Sequence, residues 1–191
     1  MHKLMRITVL VVGIAIIPSL FLPLWKIDLQ APQYPEGLEM KIWLNHLSGD
    51  VDIINDLNHY IGMKKILENS IPELKIMLPC IIGVALLCFI TVFFNRKWIL
   101  FSTYIIYLAM GVYGFTDFYF WEYDYGHNLD PRAAIKIPGM SYQPPFIGSK
   151  QLLNFTSYSY PDYGGLILMS CGTILFLVCC YEIFINKSKQ L

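Results

Sequence analysis

Hydrophobic positions in this chain follow two rhythms. Four stretches are apolar at nearly every position, and the two long segments between them switch between alternation and helical spacing. The continuous stretches cover residues 7–24, 76–94, 98–116 and 164–181. Each is close to the ~20 residues, within a range of about 17–25, that an α-helix needs to cross bilayer hydrocarbon. The second and third carry no charge, and Glu182 follows the fourth. Pro18, Pro23 and Pro79 lie in or at the ends of these stretches, where neighbouring helices can re-satisfy freed backbone groups.

The alternating segments read differently. In 38–45, Leu38, Met40, Ile42 and Leu44 alternate with Glu39, Lys41, Trp43 and Asn45, the period of a strand with one apolar face. Just before it, 31–37 is punctuated by Pro32, Pro35 and Gly37. Beyond His46 the period lengthens: Val51, Ile54, Leu57, Asn58 and Ile61 share one helical face. Asp50 is the expected N-cap and Gly62 the expected stop. The second segment opens with FTDFYFWEYDYGHN, which predicts a continuation of the third helix past the hydrocarbon edge. It closes with proline-rich turns at 137–145 and a further alternating stretch at 152–160.

Composition agrees with the spans. The chain is 55% hydrophobic and 15% charged, with mean hydropathy +0.49. Soluble domains carry about 25% charged residues. The net charge of zero gives no basic field for nucleic acid. Cys80, Cys88, Cys171, Cys179 and Cys180 all fall in apolar stretches, so no disulfide framework is expected. The first span has a basic start, but its apolar run exceeds a signal h-region and no small-residue cleavage site follows, so it reads as a retained helix.

Basic residues set the expected orientation. Lys3 and Arg6, Arg96 and Lys97 in the 95–97 turn, and Lys187 and Lys189 in the tail hold six of the 14 basic residues in very little chain. These segments are expected in the cytoplasm. The long segments 25–75 and 117–163 are expected outside, with Trp25, Trp98 and Trp121 near the interfaces. The expected fold is a mainly α membrane protein, a four-transmembrane-helix bundle carrying a small α+β outer domain built from both outer loops. Its divisions are residues 1–24 (tail and first span), 25–75 (outer loop one), 76–116 (spans two and three with the turn at 95–97), 117–163 (outer loop two) and 164–191 (fourth span and basic cytoplasmic tail).

Candidate chemistry lies in the outer loops. His46, His59 and His127 are there, with Met40, Met63 and Met140. Imidazole with thioether suits copper, above all Cu(I), and three histidines also suit zinc. The metal candidates are therefore His59, Met63, Met140, His46 and His127. The competing reading puts Met40 on the apolar strand face, His46 at a turn, His59 at a helix end, and His127 beside Glu122 or Asp124. Asp50, Asp52 and Asp56 lack the glycine and glutamate of an EF-hand loop and read as capping and solvated surface. Asp117, Glu122 and Asp124 read as interface anchors at the membrane edge. No G-x-S-x-G elbow, H-E-x-x-H helix or phosphate-cradling loop is present, so no catalytic role is expected.

Three stretches, PLWKIDLQAPQYPEGLEMKI, DVDIINDLNHYIGMKKI and IKIPGMSYQPPFIGSKQLLNF, resemble a group of small bacterial four-span membrane proteins associated with nitrous-oxide reductase and related copper-enzyme accessory gene clusters. His59, Met63 and Met140 sit inside these stretches; His46 and His127 sit outside them. The resemblance implies an inner-membrane accessory protein with a periplasmic domain, serving copper delivery or maturation of a periplasmic copper enzyme. The alternative is a metal-free assembly subunit that docks a periplasmic or membrane protein through its outer loops, with PGMSYQPP as the contact. The architecture is also similar to claudin-type four-span proteins, although this chain lacks their outer-loop cysteine pair.

Overall fold

The computed structural model describes residues 1–188; Lys189 of the basic tail lies outside them. The elements are helices α1 (Lys3–Ile16), α2 (Val51–Ile61), α3 (Glu73–Phe94), α4 (Lys97–His127) and α5 (Tyr163–Ser188). With them run strands β1 (Trp25–Ala31), β2 (Tyr34–Ile42), β3 (Leu47–Gly49), β4 (Gly148–Leu152) and β5 (Phe155–Pro161). Four helices are long and apolar enough to cross a membrane: α1 with the tight helical turn after it, α3, α4 and α5.

Each helix end has a local cause. Pro18 has no N–H to donate back along the helix, so α1 tightens into a 3₁₀ turn over Ile17–Phe21. Asn95, in the left-handed region at φ 52°, ends α3 and reverses the chain into α4. In the bundle core Val9, Val12, Ile16, Val84, Cys88, Leu100, Leu175 and Val178 are all buried. The cysteines are free thiols.

The bundle is closed at one end by Glu182, which is 1% exposed. Its carboxylate accepts from the His2 backbone N–H at 2.7 Å and pairs with Lys97 Nζ at 2.8 Å. One side chain on α5 thus ties down the start of α1 and the start of α4.

At the other end stands a five-stranded antiparallel sheet, order β3-β2-β1-β5-β4. Its centre joins chain from both long segments: β1 pairs β5 from Trp25↔Pro161 to Gln30↔Thr156. The two segments therefore build one head. β1 was not expected from the pattern, and β2 starts at Tyr34, so the proline-punctuated stretch is strand and turn. The apolar stretch 98–116 is only part of a 31-residue helix about 46 Å long, whose last turns leave the bundle and pack under the sheet. Trp25 marks the junction: its ring meets Phe115, Phe118 and Phe146, and its Nε1 donates to Ser159 Oγ at 2.8 Å.

The opposite face of the sheet carries charge. Lys26 pairs with Asp28 at 2.8 Å and Lys41 with Glu39 at 2.6 Å. Hydrogen bonds to Asp28 and Glu39 raise the two lysine pKa values above the usual 10.5. Asp50 is the N-cap residue of α2, as expected, but its side chain does not bond the helix's own N–H groups. Its Oδ2 accepts from the Glu39 N–H at 2.9 Å, which fixes the start of the helix to β2 instead.

Candidate functional site: a cavity in the head

The head core forms where the apolar faces of β1 and β2 meet α2 and the end of α4. Ile27, Leu38, Met40, Ile54, Ile66 and Tyr125 are its buried members. Asn55 holds the chain after α2 in place. Its side chain donates to Ile66 O at 3.0 Å and accepts from Ile66 N at 2.7 Å, both buried. Two glycines let the second segment close over this core. Gly62, at φ 80°, ends α2, and its carbonyl accepts from Asp130 N at 2.8 Å. A Cβ on Gly126 would collide with the Gln143 backbone, and the Gly126 carbonyl accepts from Tyr142 N at 2.9 Å.

The closure leaves a cavity of about 440 Å³. That lies within the ~300–1,000 Å³ typical of small-molecule sites. Its walls are Ile27, Leu29 and Met40 from the sheet, Ile54, Leu57 and Ile61 from α2, and Trp121, Glu122 and Tyr125 from α4. Met63, Tyr142, Pro144, Leu152 and Phe155 contribute from the connecting segments and the β4–β5 hairpin. Among the described residues, four polar groups on this apolar wall find no hydrogen-bond partner: Asn58 Nδ2, Trp121 Nε1, both carboxyl oxygens of Glu122, and Tyr142 OH. Glu122 is 0% exposed and Tyr142 2%. Buried polar groups are normally paired, and an unpaired buried charge costs several kcal/mol. A carboxyl in this position keeps its proton or is paired by a donor from a ligand or water.

The sequence reading of Glu122 as an interface anchor is therefore corrected: it points into the head. Its signal was present. Phe118, Trp121, Glu122 and Tyr125 fall at i, i+3, i+4 and i+7, so the acid sits within an aromatic stripe at helical spacing. Asp124, on another face, pairs with Lys64 at 2.6 Å.

The five metal candidates sit in different surroundings. Met63 follows Gly62, donates its N–H to Asn58 O at 2.9 Å and lines the cavity. His59 is exposed, with an edge contact to Tyr60. His46 stacks on Trp43 at 4.9 Å, with Nδ1 2.8 Å from Asn45 Oδ1. His127 stacks on Tyr123 at 3.9 Å, with Nδ1 3.0 Å from the Tyr123 carbonyl, rather than beside Glu122 or Asp124. Met140 lies in a turn, its N–H donating to Ile137 O at 3.1 Å. Among the described residues, no three of His, Cys, Asp or Glu are grouped so as to hold a metal. Tyr142, in the PGMSYQPP stretch expected to be a contact surface, is buried against the end of α4.

Compared with known proteins, the chain matches no protein-family model and no curated protein.

Proposed function

We propose that the protein is a non-enzymatic, multi-pass accessory protein of the bacterial inner membrane whose periplasmic head binds a small ligand in its cavity. The carrying observation is Glu122, fully buried and unpartnered on the wall of a 440 Å³ cavity. Support for the orientation comes from Lys3, Arg6, Arg96 and Lys97, which gather at the bundle end away from the sheet and suit the cytoplasmic side. Native mass spectrometry of protein released from nanodiscs tests the ligand. The expected spectrum has a co-purifying small molecule that is lost in Glu122→Leu. Bare protein mass in both forms counts against the reading.

Copper handling is a second reading, favoured by one observation: two thioethers, Met40 and Met63, line the same cavity, and thioethers suit Cu(I). If copper is the cargo, Cu(I) titration loses affinity at least tenfold, about 1.4 kcal/mol, in Met40→Leu/Met63→Leu and is unchanged in His59→Ala. Equal loss in His59→Ala would return the site to the helix end. Docking of a protein partner through 137–145 is the third proposal. A pulldown in which Met140→Ala and Pro144→Ala leave recovery unchanged would remove it.

A further inference from the structure

We propose that the cavity recognises a neutral molecule with an apolar body and a carbonyl-type oxygen, bound by donors drawn from the unpartnered set Glu122, Asn58, Trp121 and Tyr142; this rests on the ligand-binding reading above. The choice follows from counting donors and acceptors. Asn58 Nδ2 and Trp121 Nε1 can only donate, and Tyr142 OH can donate. None of the three has a partner. No Lys, Arg or His side chain lines the cavity, so an anionic head would meet no counter-charge. A cationic head would satisfy Glu122 but offer no acceptor to Trp121 or Asn58. A neutral oxygen acceptor can take two of these donors at once through its two lone pairs, and Glu122 can be one of them when it carries its proton. Keeping a carboxylic acid neutral in apolar surroundings so that it can donate is a known device of enzyme active sites. It also avoids burying an uncompensated charge.

The lining places the entrance. β1 enters the sheet from the bundle at Trp25, and β5 leaves it toward α5 at Pro161. The turns at Gln33 and at Leu153–Asn154 are therefore at the far end of the sheet, and all three residues line the cavity. Leu153 holds a left-handed backbone, φ 56°, which a bulky side chain adopts only at a cost of roughly 1–2 kcal/mol. The two-residue turn between Leu152 and Phe155 itself requires this positive φ. The ligand enters from the aqueous side and lays its apolar body along Ile27, Leu29 and Leu57.

Benzophenone tests this directly, because it is itself a ketone with an apolar body. On irradiation it bonds covalently to nearby side-chain carbons, which peptide mass spectrometry can map. In nanodisc-held protein the expected adducts are on Met40 or Met63. Excess acetophenone should suppress them at least tenfold. Benzyltrimethylammonium and benzoate should not suppress them. Glu122→Gln keeps a neutral donor and should retain labelling within about threefold, whereas Glu122→Leu and Tyr142→Phe each lose a donor and should weaken it by more. Suppression by benzyltrimethylammonium, with labelling abolished in Glu122→Gln, would overturn the neutral-carbonyl class while leaving the ligand site standing. Adducts confined to the bundle helices would overturn both.

Discussion

Two glutamates are almost completely sealed from solvent, and they do opposite things. Glu182, at the bundle's charged end, accepts from the His2 N–H and pairs with Lys97. Glu122, in the head, has neither of its oxygens bonded. Burial is the same, 1% and 0%, so burial does not separate structural from functional acid. The partners do. A paired buried carboxylate joins elements, and losing it leaves other groups stranded. An orphaned one on a cavity wall costs stability, and such a cost is typical of binding sites.

Mutations can break this comparison in order of size. The largest expected effect is at Gly126, where a valine side chain would push the Gln143 backbone off α4; Gly126→Val should cost about 3 kcal/mol and open the cavity. Loss of probe binding together with the lowered melting point checks this. Glu182→Ala comes next, at about 2 kcal/mol rather than the full value for a buried pair, because Lys97 is 29% exposed. Asn55→Ala removes two buried hydrogen bonds to Ile66 and should also cost about 2 kcal/mol, read by chemical denaturation. Glu122→Leu should go the other way, raising unliganded stability by about 1 kcal/mol, since an apolar side chain removes an unpaired polar group. His46→Ala and His127→Ala, both on surface rings, should shift stability by no more than about 0.5 kcal/mol. A large loss in either would give those histidines a role that their stacking on Trp43 and Tyr123 does not supply.

The four apolar helices were legible because continuous hydrophobicity needs no tertiary context. So was α2, whose spacing and Gly62 stop are local features. The period-two stretch 38–45 predicted a strand, and 152–160 covers β5 and the turn before it, whereas β4 lies almost entirely ahead of that stretch. β1 was missed although Trp25, Ile27 and Leu29 alternate with Lys26, Asp28 and Gln30. That alternation starts directly at the end of the first apolar stretch, which masks its boundary. Asp50 illustrates a different limit: the side chain of a residue suited to capping was taken by a bond to the Glu39 N–H on β2, a tertiary contact that helix-capping rules do not show. The cavity was the least legible feature. It needs Asn58, Trp121 and Tyr142 brought together from three parts of the chain, and it depends on Gly126 admitting the Tyr142–Gln143 backbone. The histidine and methionine pattern drew attention to residue type, but the fold sends His59 to the surface and Met63 inward because Gly62 turns the chain between them.

The central claim is that Glu122 is held unpaired for a ligand. Thermal unfolding of the wild type and Glu122→Leu in nanodiscs, each with and without saturating acetophenone, tests it most directly. The account predicts that acetophenone raises the wild-type Tm and raises the variant's by clearly less, while the unliganded variant is at least as stable as the wild type. A less stable variant that still shows the full acetophenone shift would contradict it, making Glu122 a structural residue like Glu182.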